Sequence, residues 1–532
     1  RGAFISAGSL SNEGGRILSQ GDLDFAVAGG LGNSGIIYSG GSSRIHAGSM
    51  RNDPAGQVLT LASLALDLDT DLENLGVLNA GEAFFVQSGG SVINNDGSFL
   101  SQTGMELAAQ GGITNSGVIQ SGGTGLFRAG GTLLNEGEIL AVGDAVFEIG
   151  EDLENSGTLH SGGGSCHLGG GLSNAGEILA SGDLSLSLAE DLFNSGKIAG
   201  DASVDFAVAG SLENTADGLM LASGAALFDV SGDLRNSGRV ESTGRGALGV
   251  GGGLFNDGDI LSQTALEFDV LGSLENTGVM HSGDILALGS SSLDNSGRIL
   301  AQGDGAFSVL GDLLNTDFLF SGGAATFNVG GMLHNLRGQI LSLGDMVLEG
   351  LSAGSRMLEL KNDSGTIETL EGSMSIRAKV VKNTNLDFAL TPGTQVLSRK
   401  GGIYSFFGDN WDQAQDLYRM LPGSSAVSSN RNALIITPAE LRVLGFGLDR
   451  NVIPRSELDA AIAAAEAGFA LYGGSSGDIA AVSSLKSRVV GRGIYMAVQH
   501  YKDRSKVAAY LESITRDEVT GLESGANIAA AV

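Results

Sequence analysis

Through the first 350 residues, apolar side chains recur in short runs of period two, separated by glycine-rich breaks. One stretch shows the form: Leu254, Asn256, Gly258 and Ile260, then Leu266, Phe268, Val270 and Leu274. Alternation sends every second side chain to one face of a strand, whereas a helical face needs spacings of three and four. The pattern therefore predicts two or three short strands in every ~20 residues, joined by tight turns.

The runs keep one phase, and asparagine marks it. It falls at Asn12, Asn33, Asn52, Asn74, Asn95, Asn115, Asn135, Asn155, Asn174, Asn194, Asn214, Asn236, Asn256, Asn276, Asn295, Asn315 and Asn335, with every gap between 19 and 22 residues. Only three other asparagines occur in residues 1–350. Leu, Ile or Met stands two residues before each of the 17 anchors, and Gly two residues after 13 of them. Strands this short cannot bury a face alone, but coils stacked on one another can. The expected fold is all-β: a right-handed parallel β-helix solenoid of about 20-residue coils, with leucine and isoleucine ladders inside. A leucine-rich repeat of the same length would carry an LxxLxL run and a helical segment, and neither is present. Sixteen steps of ~4.8 Å would span roughly 77 Å.

Stacking gives the asparagines a structural role. Equivalent side chains lie above one another, and an amide has both donors and an acceptor. It can bond to the next amide up the axis or to a turn carbonyl, while the glycine two residues on is expected to ease the corner. The prevailing Asn-Ser-Gly context does not match the N-glycosylation sequence.

Composition narrows the class further. Glycine is 86 of 532 residues and proline only 5, which excludes collagen. With 42% hydrophobic residues regularly placed, the chain is not a disordered one. The single cysteine, Cys166, allows no disulfide within the chain. No apolar run reaches the 18 residues of a membrane helix. Residues 1–350 carry 11 Lys+Arg against 41 Asp+Glu, whereas 351–532 carry 19 of each. The acidic part is a poor match for nucleic acid, which requires basic patches, and reads as a solvated, self-repelling surface.

The string Leu-x-Asn-x-Gly-x-Ile, followed by Gly-Asp-Leu and a second Leu-x-Asn, resembles the repeats of filamentous haemagglutinin-like exoproteins. Residues 172–194, LSNAGEILASGDLSLSLAEDLFN, are a close match. Lys361-Asn362-Asp363-Ser364-Gly365-Thr366-Ile367-Glu368, running through Met374-Ser375-Ile376 to Asn383, resembles one more repeat. The resemblance covers about residues 1–390. It implies a secreted protein of the bacterial outer surface, exported by two-partner secretion through an outer-membrane transporter. It also implies a receptor or glycan on a host or neighbouring cell as partner. Family members act as adhesins or as stalks of contact-dependent growth-inhibition proteins. The family's secretion domain is not seen here, nor is a toxin module. Residues 2–12 align with 305–315, so the chain is expected to be a fragment whose first residue lies within a coil.

Beyond residue 390 the repeat fails. Residues 391–435 read as an irregular transition and 436–532 as a mixed α/β or mostly helical region. Gln413–Met420 reads as a short helix, Thr437-Pro438-Ala439-Glu440 as a capping box, and Ser456–Tyr472 as an alanine-rich helix. Ile479 to Glu523 also reads as mostly helical, with its basic residues on a solvated face.

Chemistry has few footholds. Asp67, Asp69, Asp71 and Glu73 alternate in LALDLDTDLEN, so all four are expected on one face of an extended segment. That makes them a calcium candidate, weighed against a plain outward strand face. Cys166 and His167 are neighbours, which on a strand sends them to opposite faces and spoils a nucleophile–base pair. Two GxSxG strings, Gly350 to Gly354 and Gly473 to Gly477, lack the strand-then-helix setting of a nucleophile elbow. A β-helical polysaccharide lyase or hydrolase would need carboxylates converging in a groove walled by long loops, and the near-constant gaps leave no room for them. The expectation is a non-enzymatic rod without cofactor or catalytic residues.

Overall fold

The short, glycine-punctuated strands stack as parallel coils, a β-solenoid with a few helices near the C-terminus. The computed structural model describes residues 2–386, 435–436, 438–446, 452–472, 475–488, 494–497 and 527–530. Two compact units divide the chain. The first comprises Arg1–Leu333, Ser342–Glu359 and Gly372–Lys379, the second His334–Leu341, Leu360–Glu371 and Val380–Val532.

In the first unit most coils have three strands, and in two of them the long and short strands are continuous, as Leu23–Asn33 and Ser43–Asn52. A short strand such as Leu254–Asn256 turns into a middle strand, Asp259–Ser262, and then a long strand, Leu266–Val270. The next coil repeats them in parallel register: Asn256 beside Asn276, Ile260 beside Met280, Leu266 beside Leu286. Alternate residues point inward, so Leu254, Ile260, Leu266, Phe268 and Val270 are all at most 2% exposed. Each such side chain contributes about 1.5–3 kcal/mol of burial, repeated coil after coil. Aromatic rings join the ladders where they meet, as in Phe206 stacked on Phe228 with centroids 4.8 Å apart.

The buried asparagines occupy the first corner of each coil. Asn155 Nδ2 donates to Asn174 Oδ1 at 2.7 Å, and it lies 3.2 Å from the carbonyls of Gly157 and Glu177. Its own Oδ1 accepts from Asn135 Nδ2 at 2.8 Å. Its backbone carbonyl accepts from the amides of Ala175 and Gly176. Every polar atom of a side chain that is 2% exposed thus has a partner. The same head-to-tail bond, 2.7–2.8 Å long, links successive amides from Asn12 to Asn315.

One rung differs from the sequence expectation. Asn94, not Asn95, accepts from Asn74 and donates to Asn115. The turn Asn94-Asn95-Asp96-Gly97 is one residue longer than the usual Asn-x-Gly, and Asp96 takes up the extra residue at φ 55°. Asn95 lies outside the ladder, where its Oδ1 accepts from the Ser116 hydroxyl. The same longer turn recurs with Gly14, Arg337 and Ser364 at φ 62°, 57° and 53°, each followed by glycine.

At the ordinary corners the glycine has a different reason from the one its position suggests. Gly157 does not have positive φ. A Cβ there would run into the carbonyl oxygen of Gly137, one coil below. Close stacking of backbones, rather than a left-handed bend, favours glycine at this corner, although Asp317 holds the equivalent place after Asn315.

In the second unit, Asn335 donates to Asn362 at 2.8 Å and Asn362 to Asn383 at 3.0 Å. Strand Thr366–Thr369 pairs in parallel with Asn527–Ala530. The strands Ile435–Ile436, Val452–Pro454 and Ile494–Ala497 form a small mixed sheet. Among the described residues the helices are Pro438–Val443, Arg455–Tyr472 and Ser476–Arg488. Leu441, Leu458, Ile462, Val482 and Leu485 are buried apolar residues on them. The helix expected from Ile479 ends at Arg488, and Ile494–Ala497 is a strand. Gly491 and Gly493 precede it, and glycine is a poor helix former. Gln413–Met420 lies outside the described residues, as does Thr437.

Candidate interaction surface

The acidic run is divided between two strands and the bend that joins them. The chain bends at Asp69–Thr70, between strands Leu64–Leu68 and Leu72–Asn74, so the four acids do not share one extended face. Asp67 lies 3.3 Å from His46, Glu73 pairs with Arg51, and Asp71 accepts the backbone N–H of Ser91 at 2.7 Å. Among the described residues, no three His, Cys, Asp or Glu side chains converge as metal ligands.

Asp71 belongs instead to a second structural series. The aspartate just before a short or long strand accepts the backbone N–H of the residue one coil on. Asp183 does so from Ser203 (2.9 Å), Asp191 from Ser211 (2.7 Å), Asp233 from Gly253 (2.8 Å) and Asp304 from Ala324 (2.8 Å). Part of the chain's acidity therefore closes turns.

The remaining chemical candidates are structural too. Cys166 is buried between Phe147 and Leu186 on neighbouring coils, and burial pushes its thiol up to about 12, so it is a poor nucleophile. His167 points the other way and is exposed. Gly350–Gly354 is a loop between strands Met346–Glu349 and Met357–Asp363, with no helix after it. It is tied down by Gly354 N–H donating to the buried Glu349 carboxylate, which also receives Arg377. In the second string Ser475 accepts from Asp478 N–H at 3.1 Å, making it the N-cap of helix Ser476–Arg488.

With the interior used for stacking, contact chemistry falls to the outward positions. On the long strands between residues 1 and 300 these carry Asp24, Asp67, Glu106, Glu148, Asp205, Asp229, Glu267 and Asp269, against Arg44 and Arg128. Arg128 bridges Glu106 and Glu148 on the coils either side, at 2.7 and 2.5 Å. The middle strands differ. Over the same span their outward positions carry Arg16, Lys197, Arg239 and Arg298 against Glu138, Glu177, Glu241 and Asp259, a net charge of zero.

The middle-strand face also has a pattern that the one-coil reading of the sequence missed. Its third position is leucine in every second coil: Leu18, Leu59, Leu100, Leu140, Leu179, Leu221, Leu261 and Leu300. Between them in register stand Tyr38, Asn79, Gln120, His160, Ala199, Glu241 and His281. In several of those intervening coils the first position is apolar instead, as at Ile36, Val77, Val118 and Val279. The result is a zigzag apolar stripe up a neutral face. Leu18 is 61% exposed, and the leucines from Leu59 to Leu300 are half-buried by their strand neighbours. The signal was legible as a leucine every 39–42 residues.

Stacked parallel coils, an unbroken amide ladder and outward faces of distinct character define a rod-forming β-solenoid. The haemagglutinin-repeat family model matches residues 1–76, 38–137, 120–196 and 207–278, just over half of the chain. The chain belongs to this family and is a filamentous haemagglutinin-like protein. The repeats are of a structural, adhesin type, and proteins that carry them are secreted surface proteins. No curated protein and no solved structure matches the chain. No helix among the described residues is long and apolar enough to cross a membrane.

Proposed function

We propose that this chain is the rod of a surface adhesin, holding many weak contact sites in fixed register along the bacterial exterior. In this reading residues 1–390 are the rod, 391–435 a transition and 436–532 a C-terminal region. An outer-membrane two-partner-secretion transporter exports the chain, and a receptor or glycan on a host or neighbouring cell binds it. The observation that carries the reading is the ladder from Asn12 to Asn315: fifteen steps without an inserted loop, about 72 Å at ~4.8 Å per step. A coil that repeats its outer side chains repeats any contact they make. Weak contacts held in register raise avidity by mass action rather than by a single deep pocket. Evenly stacked coils, which lack the long loops of a catalytic groove, support a non-enzymatic role.

The test is adhesion itself. Beads coated with the full chain should be retained on cell layers several-fold above beads coated with heat-unfolded chain, and soluble chain should compete. Equal retention of the two bead types across a panel of bacterial cells, host cells and glycans would overturn the adhesive reading. Robust cleavage of a polysaccharide by the purified chain would overturn the non-enzymatic one.

A further inference from the structure

We infer that the middle-strand face is where two copies of this chain pair side by side, the leucines of one rod seated between those of the other. Three observations select a second copy as the occupant. The face is electrically neutral on a stretch, residues 1–350, that carries a net charge of −30. It is thus the face on which two like-charged rods repel least.

The second is spacing. Adjacent coils lie ~4.8 Å apart, so a leucine in every second coil recurs about every 9.6 Å. Of the coils between, two hold a smaller side chain at that position, Asn79 and Ala199, and leave a slot, and the others hold Tyr38, Gln120, His160, Glu241 and His281. A two-fold axis lying in the plane between the two faces, perpendicular to the rods and passing between adjacent coils, sets each leucine of one copy against an intervening coil of the other. Such an isologous contact closes on itself and leaves two rods antiparallel. Facing sheets pack about 10 Å apart with side chains interdigitated, which this spacing permits.

The third is area. From Leu18 to Leu300 the stripe climbs fourteen steps, about 67 Å, and a four-residue strand is about 13 Å long. The face of about 870 Å² matches the ~800 Å² that each partner buries in a stable interface of standard size. Further along, Phe318 and Phe320 hold the equivalent outward positions but are only 7% and 3% exposed, so the stripe offered to a partner ends near Leu300.

Sedimentation equilibrium of the full chain is the test. The expected mass at micromolar concentration is twice 53.9 kDa. Raised salt should strengthen pairing, because it screens repulsion between acidic rods. Replacing Leu140, Leu179 and Leu221 together by asparagine, the residue already present at position 79, should weaken pairing about a hundredfold or more, with unchanged far-UV circular dichroism. The matched control, Leu126→Asn with Leu227→Asn on the long-strand face, should leave the mass doubled. A wild-type chain that stays at 53.9 kDa overturns the proposal. So does a dimer that survives the triple substitution, as it would if the alternation were only a relic of duplicating a two-coil unit. A dimer lost equally in the control overturns it as well.

Discussion

The inside of the rod repeats every coil, and its middle-strand face repeats every second coil. Asn135, Asn155 and Asn174 follow one another without a gap, because a missing amide would leave a buried donor and acceptor on its neighbours. Leu140, His160 and Leu179 alternate in the same coils, at outward positions of the middle strands. Solvent can satisfy His160 or hold Leu140, so stacking does not demand either residue there. The interior period is what folding requires. The doubled exterior period is extra order, and it points to something that contacts the surface.

Substitutions can break the two sides of this comparison separately. The largest effect is expected inside. Asn155→Ala leaves Asn135 Nδ2 and Asn174 Oδ1 without their ladder partners in the interior, at a cost of about 3–5 kcal/mol by chemical denaturation. Gly157→Ala, which drives a methyl group into the coil below, should cost about as much. Phe268→Ala, from a side chain 2% exposed, should cost about 3–5 kcal/mol through the cavity it leaves. Loss of under about 1 kcal/mol in either ladder variant would mean that stacking does not depend on the amides.

A turn carboxylate comes next. Asp191→Ala removes the acceptor of Ser211 N–H at an exposed corner, where water replaces it, so about 1 kcal/mol is expected. Outside, Leu140→Asn should change the unfolding free energy by no more than about 0.5 kcal/mol. A cost near that of Asn155→Ala would erase the distinction between the faces.

Acid should act on the second unit through Asp363. Burial alone would raise this carboxyl, but hydrogen bonds from Lys361, Thr384 and His334 outweigh it and hold the group below its usual range. A lowered folded value gives stability that is present above about pH 3.9 and is lost as pH falls further. Asp363→Asn should flatten that part of the stability–pH curve, and a variant as acid-sensitive as wild type would contradict the assignment.

Much of this architecture was legible because the physics repeats. A buried amide needed at each coil leaves the same letter about every 20 residues, and period two reveals the strands around it. Asn95 was mistaken for a rung because Ile93 and Gly97 give it the usual flanks, and only the left-handed turn at Asp96 shows that Asn94 points inward. The corner glycines were found but misread, since sequence shows a residue and not the carbonyl of Gly137 that faces it. The turn aspartates passed as surface charge because their donors are backbone amides, which leave no mark in the sequence. The leucine stripe was written in plain letters at twice the expected period. In the C-terminal part no repeat averages out the ambiguity of short apolar runs, and strand Ile494–Ala497 read as helix.

The central claim is that one coil forms per ~20 residues and that coils stack without slip. Spin labels at Glu73→Cys and Glu275→Cys, outward positions on short strands ten coils apart, test it most directly. The native Cys166, 2% exposed, should stay unlabelled. Pulsed electron–electron resonance on a chain diluted with unlabelled copies should give one narrow distance near 48 Å, ten steps of ~4.8 Å. A broad distribution, or a maximum displaced by two coils or more, would contradict the account.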